Sequence, residues 1–344
     1  MLDLKKRKEE YLSKENTQAL KGLLAIAVLL SHAVPKSEVF YGSVLSSLFG
    51  SLGYLSVSVF FFLSAYGISL QYEKRKENYL NNFPKNRILS IYLLNVFLVV
   101  VYGIYHALAG NELTVPMIFQ SLLIGNSIVG NGWYLQVIVL FYFIWYLCTH
   151  AIKSEKIRIH AISLSLIAYI VISACFLGGT WYVCTLSFLL GVFYHKEKEK
   201  IDNILCKNKK RYYSILILSA ISFGCLFVLS KMHFFAQYPV LDNLVRTTAK
   251  CLSSPIFVVF VCVFLYLLKL ESSKILQFLG KYSIEIYVLH AIPLEVLRRI
   301  PFCADNGYIY ILLSLVFSII LAMLSYPIIQ CVMTIPQKYM VKGR

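Results

Sequence analysis

Apolar runs of about 20 residues alternate with short polar and basic stretches along the whole chain. A run of this length is enough to cross the hydrocarbon core of a bilayer as an α-helix. The pattern predicts ten spans, at residues 18–35, 51–71, 89–109, 134–150, 158–177, 182–195, 213–230, 247–269, 282–299 and 308–335. The sequence therefore predicts an all-α polytopic membrane protein with about ten transmembrane helices.

Two of these spans differ from the others. The span at 182–195 is short for a bilayer, and the span at 282–299 is interrupted by polar groups. Either helix is expected to be tilted or buried behind its neighbours. The connection at 110–132 lacks basic residues and has a moderately apolar middle, which is typical of a short interfacial or re-entrant helix.

The predicted organisation is one transmembrane domain at residues 18–335, between a basic N-terminal segment at 1–17 and a tail at 336–344. No small-residue cleavage site follows the first apolar run, so this run is interpreted as an uncleaved signal anchor. Charged residues make up only 15% of the chain, whereas a soluble domain carries about 25%. A separate soluble domain is therefore not expected.

The basic residues set the orientation. Nearly all of the 33 Lys and Arg residues fall in alternate connections, which the positive-inside rule places in the cytoplasm. Both termini are then cytoplasmic. Six basic residues fall at or near the outer ends of spans: Lys36, Lys231, Arg246, Lys250, Arg298 and Arg299. Because the net charge of +16 is explained by topology and by contact with the lipid bilayer, nucleic-acid binding is not expected.

The first span carries the strongest candidate for chemistry. Lys21 and His32 are eleven residues apart, so on one helix they share a face at roughly 16 Å along the axis. Ionisable groups inside a span mark functional paths. In the alternative interpretation, Lys21 reaches the headgroups and His32 serves only helix packing.

Polar groups recur in three further motifs. The hinge before the third span holds Lys85 and Arg87, which are either a positive-inside anchor or a phosphate clamp. Asn131 and Trp133, at the start of the fourth span, are either an aromatic belt or an outer acceptor site. Ser283, Tyr287 and His290 share one helical face in the ninth span, which must contact protein or a watery cavity.

The nine Cys residues do not form metal-ligand spacings with His, so we expect no metal site. The segment Val57–Gly67, with the small residues Ser64, Ala65 and Gly67, is interpreted chiefly as a packing surface.

Taken in order, these motifs make the chain resemble the membrane-bound acyltransferase family 3. The resemblance rests on Lys21 to His32, Phe61 to Ala65, Arg87 to Ser90, Trp133 to Leu135, Phe188 to Gly191 and Leu279 to His290. Where the family has Arg in the first helix, this chain has Lys21, which lacks a bidentate fork. Ser90 and Ala65 replace a second hinge Arg and a Gly.

The resemblance implies an O-acyltransferase without bound cofactors. His32 would be catalytic, and Lys21, Arg87 and Lys85 would bind the donor, an acyl-CoA such as acetyl-CoA. Asn131, Trp133, Tyr287 and His290 would face a carbohydrate acceptor, which is a cell-surface, capsular or exo-polysaccharide or its lipid-linked precursor. The location would be a bacterial plasma membrane, and a stand-alone form without an esterase-like domain is expected. The rival hypothesis is a transporter or flippase, since buried His and Glu also suit proton relays.

Overall fold

The computed structural model describes residues 11–125 and 128–339, and within them it contains helices but no strand. The α-helices are α1 Lys14–Ser37, α2 Val44–Phe83, α3 Ser90–Leu108, α4 Val115–Leu122, α5 Trp133–Ala151, α6 Glu155–Phe176, α7 Thr185–Cys206, α8 Lys209–Leu229, α9 Pro239–Leu265, α10 Lys274–Lys281, α11 Ser283–Leu289, α12 Ala291–Arg298, α13 Pro301–Ala304 and α14 Gly307–Tyr339. A π-helical turn, Pro84–Leu89, joins α2 to α3.

Seven helical stretches in the described part of the chain are long and apolar enough to cross a membrane. One of them, Val44–Leu108, is 65 residues long and contains the predicted spans 51–71 and 89–109. The seven stretches thus account for eight of the ten predicted spans, and the prediction of an all-α polytopic membrane protein is confirmed. The other two predicted spans fall in α7 and in the pair α11 and α12.

The predicted span at 282–299 is not one continuous helix. It divides into α11 and α12, which meet at His290. Pro293, three residues beyond His290, has no backbone N–H and so cannot bond to the carbonyl of Leu289. The interruption therefore follows from the sequence, and it places an imidazole at the junction of the two helices.

The connection at 110–132 contains the helix expected there. In α4, Thr114 precedes a proline at the first turn, and Val115 and Phe119 are exposed large apolar side chains. An exposed apolar face on a short helix is typical of an interfacial segment.

The chain divides into two compact units. Unit 1 comprises Met1–Lys21, Tyr54–Lys74 and Ile159–Gln277, and unit 2 comprises Gly22–Gly53, Arg75–Arg158 and Phe278–Arg344. Helices α1 and α2 each contribute residues to both units.

Close packing in unit 1 depends on Gly191 of α7. A Cβ at this position would stand 2.5 Å from the carbonyl oxygen of Phe62 and 2.8 Å from the Cβ of Ala65. Only glycine permits this approach of α7 to α2. Phe61 and Phe62 are each 1% exposed, so the prediction that this segment is a packing surface is confirmed.

Unit 1 also encloses a carboxylate. Asp202 is fully buried, and its Oδ1 accepts hydrogen bonds from the hydroxyls of Tyr11 at 2.9 Å and Tyr266 at 2.7 Å. The ammonium of Lys198 pairs with the other oxygen. Burial raises the pKa of Tyr11 above its ordinary value, so its hydroxyl remains a donor. Both carboxylate oxygens are satisfied, and the contact ties the start of the described chain to α7 and α9.

Unit 2 is built around α14, which packs against α3, α11 and α12. Its core includes Ala25, Leu29 and Ala33 from α1, together with Ile286 and Leu294 from α11 and α12. These α1 side chains recur on one helical face, and the small Ala25 and Ala33 allow α11 and α12 to approach α1 closely. His32 and His290 are thereby brought together.

Candidate active site

The two histidines predicted as site residues face each other in unit 2. The rings of His32 and His290 stack with centroids 5.3 Å apart and planes inclined by 28°. They are far apart in sequence, and the packing of α1 on α11 and α12 places them side by side. His290 is fully buried, whereas His32 is partly exposed.

The buried ring of His290 is fully engaged. Its Nδ1 lies 2.8 Å from the carbonyl oxygen of Tyr287 and 3.1 Å from that of Ile286. Since a carbonyl can only accept, Nδ1 carries a proton. In the neutral ring Nε2 is then an acceptor, and the amide of Asn131 donates to it at 3.0 Å. His290 therefore has one fixed tautomer and no nitrogen left for another partner.

Asn131 reaches His290 from a strained turn. Its φ of 59° is left-handed, a conformation that asparagine tolerates better than most residues. The preceding Gly130 packs so closely against Ala291 that a Cβ would collide with it, and the same Cβ would stand 3.3 Å from the hydroxyl of Tyr102. Strain of this kind persists where the surroundings enforce it. The turn therefore holds the Asn131 amide against the His290 imidazole.

Contacts of Tyr102 and Tyr287 hold α11 in place next to α3 and the start of α5. Tyr102 of α3 is 1% exposed, and its hydroxyl donates to the carbonyl of Val288 at 2.8 Å. The ring of Tyr287 packs edge-on against Tyr134 at 5.1 Å. Trp133 contacts Tyr134, with ring centroids 6.4 Å apart. Of the predicted outer residues, Asn131, Tyr287 and His290 therefore meet at one place, and Trp133 lies one side chain further away.

His32 has the opposite environment. In the described part of the chain, neither of its imidazole nitrogens has a hydrogen-bond partner, although the ring is positioned by its stack on His290. Lys36 follows one helical turn later and acts on it electrostatically. A positioned imidazole with a free nitrogen can accept a proton from a hydroxyl or attack a carbonyl carbon.

Lys21 lies on the same continuous helix as His32. The helix α1 is unbroken between these two residues. Lys21 belongs to unit 1 and His32 to unit 2. Its side chain is partly buried and has an interaction partner.

The hinge residues occupy the π-helical turn. Arg87 is exposed beside Tyr79 and Tyr142, and Lys85 is partly exposed. Ser90, at the place of the missing second hinge Arg, is buried, and its hydroxyl donates to the carbonyl of Lys85 at 3.2 Å. Ser90 thus has no role as a surface donor. Fifteen residues separate Arg87 from Tyr102, which places the hinge roughly 20 Å along the axis from the histidine pair.

A second set of positioning residues was not predicted. Gln136 donates to the carbonyl of Ser121 at 2.9 Å, and Asn95 donates to the same carbonyl at 2.8 Å. The hydroxyl of Ser121 accepts from the backbone N–H of Ile128 at 2.8 Å. This network holds the chain that leads into the Asn131 turn. The sequence does contain a signal for this network, because Asn95 and Gln136 are polar residues within apolar spans. Polar residues in such spans need a hydrogen-bond partner.

Metal-ligating groups do not cluster in the described residues: no three His, Cys, Asp or Glu side chains there are arranged to hold an ion.

The fold and the site define a polytopic membrane protein with a paired, partly accessible histidine at the centre of one unit. Residues 16–327 match the family described as an acyltransferase domain, acyltransferase family 3. The chain therefore belongs to this acyltransferase family. Searches of curated proteins and of solved structures returned no match.

Proposed function

We propose that this membrane acyltransferase transfers an acyl group, specifically acetyl, from acyl-CoA to a hydroxyl of a bacterial cell-surface, capsular or exo-polysaccharide. The observation that carries the proposal is His32: a partly exposed imidazole whose nitrogens have no hydrogen-bond partner among the described residues, stacked on a histidine whose own nitrogens are both occupied. We place the protein in the plasma membrane of a bacterium.

In the reaction that we propose, a free nitrogen of His32 takes the proton of the acceptor hydroxyl. The hydroxyl oxygen then forms a bond to the acyl carbon as the carbon–sulfur bond to CoA breaks. The thiolate of CoA recovers the proton from the imidazolium. In the alternative route, a nitrogen of His32 first forms a bond to the acyl carbon as the carbon–sulfur bond to CoA breaks. The acceptor oxygen then forms its bond to the acyl carbon as the nitrogen–carbon bond breaks, and the proton of the hydroxyl passes to the thiolate of CoA.

His290 and Asn131 serve this step indirectly. Because their polar atoms already pair with each other and with backbone carbonyls, we assign them as positioning residues that hold the His32 ring, not as acceptor contacts. Tyr287 and Trp133 remain candidates for the acceptor side, since aromatic faces suit sugar rings.

The acyl-CoA donor would bind at the hinge that holds Lys85 and Arg87, away from the histidine pair. Arg87 is exposed and always charged, and a guanidinium binds phosphate with parallel hydrogen bonds. Lys85, in the same unit, would add an ammonium group for the phosphates of CoA. The separation of roughly 20 Å between the hinge and the histidine pair matches an extended donor that reaches inward from a cytoplasmic phosphate site.

The test is a CoA-release assay in membranes with and without the protein, in the presence of cell-surface glycan. The acyltransferase predicts that free CoA and acetylated glycan appear together and in equal amounts. A transporter or flippase predicts that glycan crosses the membrane without CoA release, and this result would replace the proposal. The arginine hinge is tested by Arg87→Gln, which should raise the KM for acetyl-CoA more than it lowers kcat.

A further inference from the structure

A lysine lies well inside one of the apolar helices of unit 1. Lys250 is eleven residues beyond the start of α9, roughly 16 Å along the axis. Helix α9 is one of the stretches apolar enough to cross a membrane. Ammonium groups inside such helices are rare, and they face protein or a cavity.

Lys250 has an aromatic partner and, among the described residues, no carboxylate paired with it. Its Nζ stands over the ring of Tyr54, 4.7 Å from the centroid. In the part of the chain that the structure describes, no acceptor oxygen lies within hydrogen-bond distance of this ammonium. The nearest carboxylate on its helix, Asp242, bonds to His233 at 2.7 Å and to the backbone N–H of Phe235 at 3.1 Å. Three N–H donors of Lys250 are therefore available to a ligand.

Polar groups continue around the same lysine. The hydroxyl of Tyr54 lies 3.4 Å from that of Ser253, and the thiol of Cys184 donates to the carbonyl of Tyr54 at 3.3 Å. Lys250 also lies within electrostatic range of the Cys184 thiol. A ring, a hydroxyl, a thiol and an ammonium thus form one polar site, the Lys250 cluster, between α2, α7 and α9.

The start of α7 supplies a second positive element. Cys184 caps this helix without a side-chain cap hydrogen bond. Thr185 and Ser187, in the first turn, are 1% and 0% exposed, and their hydroxyl oxygens have no hydrogen-bond partner among the described residues. The backbone N–H groups of Thr185 and Ser187 already donate to the carbonyls of Tyr182 and Cys184, at 3.0 Å and 3.1 Å, so the helix dipole and the two side-chain hydroxyls are what this end of α7 offers to an anion. Orphaned buried hydroxyls beside it need a partner that the described chain does not provide.

Two further cations lie near Lys250. Lys231 follows the end of α8, and Arg246 precedes Lys250 by one turn of α9. The pKa of Lys231 is lowered, first by lost hydration and then by the positive charges of Lys250 and Arg246. All three belong to the few basic residues predicted toward the outer side, against the usual asymmetry. Arg246 already pairs with Asp242 at 3.6 Å, so Lys231 and Lys250 are the two cations whose repulsion a bound anion would relieve.

We infer that the Lys250 cluster is a binding site for an anionic group, a phosphate or a carboxylate. Its donors are the ammonium of Lys250 and the buried hydroxyls of Thr185 and Ser187, and the charge of Lys231 adds to the attraction. This assignment rests on the proposed function: the anionic group is part of the glycan acceptor, so the acceptor is an acidic glycan. The same chemistry is present in anionic lipid headgroups, so the test separates the two sources.

The probe is inorganic pyrophosphate, measured by its effect on the thermal unfolding of purified protein in nanodiscs of phosphatidylcholine. Potassium chloride at matched ionic strength is the reference. Lys250→Met removes the charge at similar length, and Lys209→Met is the control, because Lys209 is an exposed lysine of the same unit. Pyrophosphate should raise the unfolding temperature of wild type and of Lys209→Met. For Lys250→Met the apparent Kd should be about tenfold weaker or more.

An equal shift in Lys250→Met, or no shift in wild type, would overturn the site. Where Lys250→Met does not fold, Lys231→Gln must weaken binding and Lys250→Arg must retain it. Phosphatidylglycerol in the nanodiscs is the second arm: if it abolishes the pyrophosphate shift, the occupant is a lipid headgroup and the acceptor assignment fails. His32→Ala should bind pyrophosphate normally. Pyrophosphate binding without acetyl transfer by wild type would therefore reject the proposed function and leave the anion site standing.

Discussion

The ionisable groups of Asp202 in unit 1 and His32 in unit 2 have opposite surroundings inside the protein. Asp202 is surrounded by Tyr11, Tyr266 and Lys198, and both of its oxygens are satisfied. His32 is held only by a ring stack, and its nitrogens have no partner among the described residues. A saturated group stabilises a fold, whereas an unsaturated group is available for chemistry.

The largest expected effect is on the rate of transfer when His32 is removed. His32→Ala should lower kcat by about 1000-fold, since a positioned general base contributes about 100-fold to 10,000-fold. The measurement is acetyl transfer per mole of folded protein. His150→Ala is the matched control, because His150 is an exposed histidine at the end of α5 in the same unit. Equal losses in the two variants would remove His32 from the mechanism.

Asp202→Ala should lower the stability of the fold and leave catalysis by the folded protein unchanged. The change leaves Lys198 and two buried tyrosine hydroxyls without their acceptor, and loss of one partner of a buried pair costs about 3 kcal/mol or more. The apparent unfolding temperature of the purified protein should fall clearly, while kcat per folded molecule stays near that of wild type. A normal unfolding temperature with a lost kcat would mean that the saturated cluster is also part of the chemistry.

His290→Ala tests whether the second ring positions the first. Misplacement of a catalytic group by about 1 Å is enough for a loss of about 100-fold, so kcat should fall to that extent while the KM for acetyl-CoA changes little. Asn131→Asp supplies a comparison, because it removes the amide donor that His290 accepts from and should reproduce part of the loss. A change in KM for the glycan alone would instead make His290 an acceptor contact.

Tyr102→Phe should have the smallest effect. It removes one buried hydrogen bond to Val288, worth about 1 kcal/mol, and leaves the ring in place. The expected result is a slight fall in unfolding temperature with a kcat reduced by severalfold at most. A loss as large as that of His290→Ala would show that the orientation of α11 controls the reaction more tightly than the ring stack.

Much of the helical pattern could be predicted, because hydrophobic length directly reflects membrane thickness. The basic stretch after residue 71 was expected as a connection, and the backbone does leave the helical conformation there, at Lys76, whose φ is 47°. A further helical stretch then runs to Phe83, so the connection is much shorter than expected. Likewise Lys250 was placed at the end of a span, because the charged first turns of α9 conceal the start of that helix at Pro239.

The candidate site could be predicted residue by residue but not as an arrangement. His32 and His290 each stand out as polar groups in apolar runs. Their stack depends on the approach of α1 to α11 and α12, and tertiary packing between distant segments is not encoded in local periodicity. The pairing of Asn131 with His290 additionally required a left-handed turn that no motif specified.

The most direct test of the account measures acetyl transfer and thermal unfolding on the same preparation of His32→Ala. The account predicts that transfer falls by about 1000-fold while the unfolding temperature stays at the wild-type value or rises, since unsaturated functional groups do not stabilise the fold. Retained transfer would contradict it. So would an unfolding temperature that falls far enough to explain the lost transfer, because His32 would then be holding the fold as Asp202 does.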